Sequence, residues 1–105
     1  MEYVEYTDTR CEAVFTLPLF DNTTSADDLL ITYAEVVNDA IFCALGNLSE
    51  NPEWDVVPCL LTEDGVFDIK RDSCQEQLDK CLAYYIENEN YENASLLSSF
   101  KEKLQ

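Results

Sequence analysis

Apolar and polar positions change rhythm several times along this chain, and each change marks an element. Over 11–19 the residues Cys11, Ala13, Phe15, Leu17 and Leu19 fall on alternate positions, the period of a half-buried strand. Pro18 has no amide hydrogen to give a ladder, which confines this segment to an edge or to a strand end. The Tyr/Glu alternation that opens the chain reads either as a preceding strand or as a loose arm, so 1–20 is assigned strand or arm. A helical rhythm follows over 26–45. Leu29, Leu30, Tyr33, Val36, Val37, Ala40, Ile41 and Ala44 recur at spacings of three and four, Ser25 with Asp28 resembles a capping box, and Gly46 supplies the stop.

Two β-rich runs then flank Asp64-Gly65 and predict a β-hairpin over 56–69, with Pro58 pushing its first strand towards an edge. Helical spacing returns over 73–104. Leu78, Cys81, Leu82 and Tyr85, with Ile86 as a further candidate, form one buried stripe, the acidic and Asn-rich stretch 87–90 breaks it, and Asn90 caps a last helix with Tyr91, Ala94, Leu97, Phe100 and Leu104 inward. Helices joined by so short a break are antiparallel neighbours. Tyr84 lies opposite its helix's stripe or at its margin, and Leu96 flanks Leu97, so a second apolar strip is left over.

The hairpin resembles the UVR motif, a short helical hairpin at the ends of the UvrB and UvrC excision-repair proteins. The resemblance covers 77–104 and rests on the amphipathic first helix, the acidic break, and Tyr91, Glu92, Ala94 and Leu97 as the aromatic-Glu-x-Ala-x-x-Leu start of the second helix. The sequence departs from the motif at Ser98 and Ser99, where an Arg-Asp pair is usual, and at Phe100, which falls one place early. Such hairpins pair with another copy or with a partner protein, so the resemblance implies a contact surface and no catalysis.

Composition narrows the function further. The chain of 105 residues carries 22 acidic and 6 basic side chains, a formal net charge of −16, and no histidine. Phosphate-backbone binders concentrate Lys and Arg on one face, so direct nucleic-acid binding is not expected, nor is an anionic membrane surface. Without histidine there is no Ser/His/Asp triad, no Cys/His pair and no histidine-ligated zinc. Five cysteines without a C-x-x-C pair read as reduced thiols, and no signal-peptide pattern opens the chain, which predicts a cytoplasmic protein, or a virion one if viral. Glu35 and Asp39, one helical turn apart, form with Asp28 an acidic stripe opposite the apolar face, facing water. No cofactor, metal or catalytic residue is expected. Acidity is concentrated in the first 55 residues, with 12 acids against one base.

The expected fold is α+β, one domain over 1–105. A small antiparallel sheet is packed by one long helix and by the C-terminal antiparallel helical hairpin. The expected function is that of a small acidic, non-enzymatic structural or adaptor protein, of a size and charge that suit a viral or phage accessory or virion component. Its partner is another protein or a second copy, held through Tyr84, Leu96, Tyr91 and Phe100. The alternative is a DNA-mimicking inhibitor of a nucleic-acid-binding or defence protein, presenting Asp28, Glu35 and Asp39.

Overall fold

The computed structural model describes residues 2–20 and 33–104. Strands β1 (Glu2–Asp8) and β2 (Ala13–Phe20) form an antiparallel hairpin that pairs Glu2 with Leu19 and Asp8 with Ala13. Helix α1 (Ala34–Glu50) comes next, followed by a second antiparallel hairpin, β3 (Val56–Thr62) and β4 (Gly65–Lys70). A single 3₁₀ turn, Arg71–Ser73, leads into α2 (Cys74–Glu87), and α3 (Tyr91–Leu104) completes the described chain. The class is α+β. The opening segment is a strand, and the two C-terminal helices pack together.

The sheet is mixed where a wholly antiparallel one was expected. Its order is β1-β2-β3-β4, and the two hairpins meet through a parallel pairing confined to Leu19 with Leu61 and Phe20 with Thr62. Both prolines explain why that ladder is so short. Pro18 and Pro58 stand on the two facing strands, each lacking the donor that a ladder needs. Pro58 does not push β3 to an edge. It is fully buried on an interior strand, where the β3–β4 register slips between Pro58 and Leu60, a bulge that absorbs the missing donor.

Helix α1 also runs past its expected end. Gly46 lies inside it, and a Cβ there would come within 3.3 Å of Phe100 Cζ, so the glycine lets α3 approach closely. The end is set instead at Glu50. There the Arg71 guanidinium donates to the carbonyls of Leu48 (2.7 Å), Asn51 (2.9 Å) and Trp54 (2.8 Å), closing a helix terminus that would otherwise leave acceptors unpaired. The expected start at residue 26, with its Ser25 and Asp28 cap, lies outside the described residues.

Leu45 and Leu48 of α1, Val57 and Cys59 of β3, Ile69 of β4, Leu78 and Cys81 of α2 and Leu97 of α3 are all fully buried. This core sits between the second strand hairpin and the three helices. The turn between α2 and α3 is a Schellman motif: Asn90 N–H donates to Tyr85 O (2.8 Å) and Glu89 N–H to Ile86 O (3.1 Å), with Glu89 in the left-handed region at φ 58°. Asn90 then caps α3, its Oδ1 accepting from Asn93 N–H at 3.2 Å.

Candidate functional site

The four apolar side chains singled out on the helical hairpin divide into two pairs. Tyr91 and Leu96 are 63% and 43% exposed, whereas Tyr84 and Phe100 are half-buried against the core. Tyr84 stacks edge-on against Tyr85 with ring centroids 5.5 Å apart, and Phe100 meets Phe42 at 5.5 Å. Tyr91 was expected inward with Ala94 and Leu97, and those two are indeed buried. It escapes because it opens α3 beyond the point where α2 has ended at Glu87, so no side chain of the facing helix covers it. Ile86, the further candidate for the buried stripe of α2, lies on the other flank of the same turn and is exposed as well, one position before α2 ends.

Of the acidic set, Asp28 lies outside the described residues. Glu35 and Asp39 stand exposed on α1, but Asp39 is not a freely solvated carboxylate. Its Oδ1 accepts a 2.6 Å hydrogen bond from the buried Tyr85 hydroxyl. Burial, and then this bond, hold the Tyr85 phenol protonated well above its ordinary range. Tyr84 is also raised, by burial first and then by the nearby carboxylates of Glu35 and Asp39.

The structure adds a feature that residue patterns did not show. Between the β1–β2 hairpin and α1 runs a groove of about 520 Å³. Val14, Thr16 and Pro18 come from β2, Val36, Asp39 and Cys43 from α1, and Trp54 and Cys59 lie beyond them. Its volume falls within the roughly 300–1,000 Å³ of ordinary binding clefts. Along it β2 makes no ladder with β3, whose described pairing is confined to Leu19–Leu61 and Phe20–Thr62. The one signal in the sequence was the presence of a proline in each of two adjoining strands.

At its turn the same hairpin is fastened by charge. Asp8, 1% exposed, accepts from the backbone N–H, Nε and Nη2 of Arg10 at 2.8, 3.1 and 2.6 Å. Arg10 in turn grips Asp68 of β4 with two 2.9 Å bonds, and the Cys11 thiol donates to Val56 O at 3.3 Å. These bonds hold the Asp8 carboxyl below the usual carboxylate range, the Arg10 side chain contributing most. A second recess, of about 440 Å³, is lined by Arg10, Lys70 and Arg71 together with Asp55 and Asp72. There the two guanidiniums are already committed to Asp8, Asp68 and the α1 carbonyls.

Among the described residues no three His, Cys, Asp or Glu side chains come together as a metal site would require, and no helix is long and apolar enough to cross a membrane. Burial pushes the Cys59 and Cys81 thiols up to about 12, away from the thiolate a nucleophile needs. Among the described residues the arrangement offers surfaces for contact. No protein-family model, curated protein or solved structure matches the chain.

Proposed function

We propose that this is a small acidic, non-enzymatic adaptor or structural protein that works by gripping another protein, or a second copy of itself, at the tip of its C-terminal helical hairpin. The observation that carries the reading is the exposure of Tyr91, Leu96 and Ile86 on the two helices flanking one rigid turn. Tyrosine with aliphatic neighbours is the composition of interface centres. The UVR-like pattern of 77–104 supports the same use, and the size and charge suit an accessory or virion component.

Tyr84 and Phe100 pack against the core, so truncating them mixes binding with stability. Tyr91 and Leu96 are the clean positions. The test compares wild type with the double variant Tyr91→Ala, Leu96→Ala by sedimentation equilibrium, and by affinity capture from the native source with partners identified by mass spectrometry. The expected result is loss of self-association or of the captured partner with an unchanged circular dichroism spectrum and little dependence on salt. Binding that ignores the double variant but collapses as salt rises would replace this reading with the DNA-mimic one, with Glu35 and Asp39 as its contacts.

A further inference from the structure

We infer that the groove between the β1–β2 hairpin and α1 is a second docking site, one that takes a segment of a partner protein with apolar side chains flanked by Lys or Arg. The site is independent of the hairpin tip and stands or falls separately from it.

Shape and lining come first. One wall of the groove is β2 and the other is α1, with Trp54 also in the lining. Val14 and Tyr3, both in the lining, remain 62% and 54% exposed, so apolar surface is left uncovered at the rim of a concave site. An apolar segment would cover it.

Charge specifies the rest of the occupant. Asp39 lines the groove and Glu35 lies one turn before it on α1. Glu5 is the cross-strand partner of Thr16, itself a lining residue. None of the six Lys and Arg side chains lines this groove. Arg10 is bound to Asp8 and Asp68, Lys80 to Glu76, Lys101 to Asp79, and Arg71 to carbonyls. One carboxylate in the lining, with two more on the adjoining turn and strand, set beside an apolar floor repels anionic segments and complements cationic ones, a preference that acts on specificity and on the rate of encounter. The tyrosine bond to Asp39 holds that carboxylate in place before any partner arrives.

Cys43 supplies a direct readout. It is the exposed cysteine, the other four being buried, and it lines the groove. The experiment uses the intact protein and three fluorescein-labelled peptides: alternating lysine and leucine, lysine and serine, and glutamate and leucine. Binding is read by anisotropy, and the groove by the rate at which N-ethylmaleimide alkylates Cys43. The lysine–leucine peptide should bind and slow that alkylation, and both comparators should bind roughly tenfold more weakly or not at all. Cys43→Trp, which fills the groove, and Val14→Arg, which sets a cation on its rim, should each weaken binding by a similar factor. Tyr91→Ala with Leu96→Ala should leave it unchanged. Val14 is exposed, so its variant decides the matter should Cys43→Trp fail to fold. The inference is overturned by absence of binding, by a lysine–serine or glutamate–leucine peptide that binds equally well, by Cys43 remaining unprotected, or by binding that survives Val14→Arg.

Discussion

The β1–β2 hairpin and the body made of α1, β3, β4, α2 and α3 are held by different forces. Of the largest side chains that are fully buried, the body supplies leucines, isoleucine, valine, proline and thiols, whereas the hairpin supplies only Asp8. Hydrophobic burial therefore secures the body, whereas the hairpin joins that core through Phe20 at its open end, with Leu17 also buried, and is held otherwise by two ladder pairs, one ion cluster, a thiol bond and the edge-on contact of Phe15 with Trp54 at 5.9 Å. A protein built this way should lose its hairpin before its core, and acid and salt should reach the hairpin first.

The largest effect should come from emptying the core. Leu45→Ala leaves a cavity beneath α1 and should cost about 2–5 kcal/mol, measured by urea unfolding. Both regions should then fail together, with Trp54 fluorescence and helical circular dichroism changing at one midpoint. Next comes Arg71→Met, which strips three carbonyls of a charged donor and should cost roughly 2–3 kcal/mol. Arg71→Lys should recover only part of that loss, since an ammonium cannot reproduce the planar fork.

Arg10→Met tests the hairpin alone. Arg10 is half-exposed and partly screened, so the expected cost is about 1–3 kcal/mol. The loss should be local: Trp54, the only tryptophan, should report undocking at lower urea than the helices do. Acid should act similarly on the wild type. Because the folded Asp8 pKa is lowered, its contribution is complete above the unfolded value of about 4 and is lost as pH falls through the folded value. Amide protection factors in β1 and β2 should therefore fall below about pH 4 while those of α2 and α3 stay high. The smallest effect belongs to the body. Glu89→Gly removes a left-handed side chain from the Schellman turn and should stabilise by about 0.5–1 kcal/mol, seen as a higher melting temperature.

The same contrast decides what could be read from residue patterns alone. The α2–α3 hairpin was legible because everything that makes it is local: the apolar stripes, the polar break and the Asn90 cap lie within some thirty consecutive positions. Features set by distant partners were not. Gly46 looks like a stop until Phe100 packs on it, Pro58 looks like an edge residue until the bulge accommodates it, and Tyr91 looks inward until the neighbouring helix falls short. The groove was hidden for the same reason, since it depends on how β2, α1 and the Trp54 loop are placed against one another. Leu96 was legible as a surface residue from the leftover strip, whereas Tyr84, assigned to the same strip, is half-buried by its packing against the core.

The contacts that fasten the hairpin also bear on the order of events in folding. Arg10 reaches Asp68 across 58 positions and Cys11 reaches Val56 across 45, while the turns of α2–α3 and β3–β4 close within a few residues. Long loops delay the contacts that close them, so the Arg10 clamp, like the equally distant meeting of Phe42 with Phe100, should form after the local turns. Arg10→Met should then speed unfolding and leave the folding rate nearly unchanged, the kinetic mark of an interaction absent from the transition state. The clamp on Arg10 thus sets how long the molecule stays closed rather than how fast it forms.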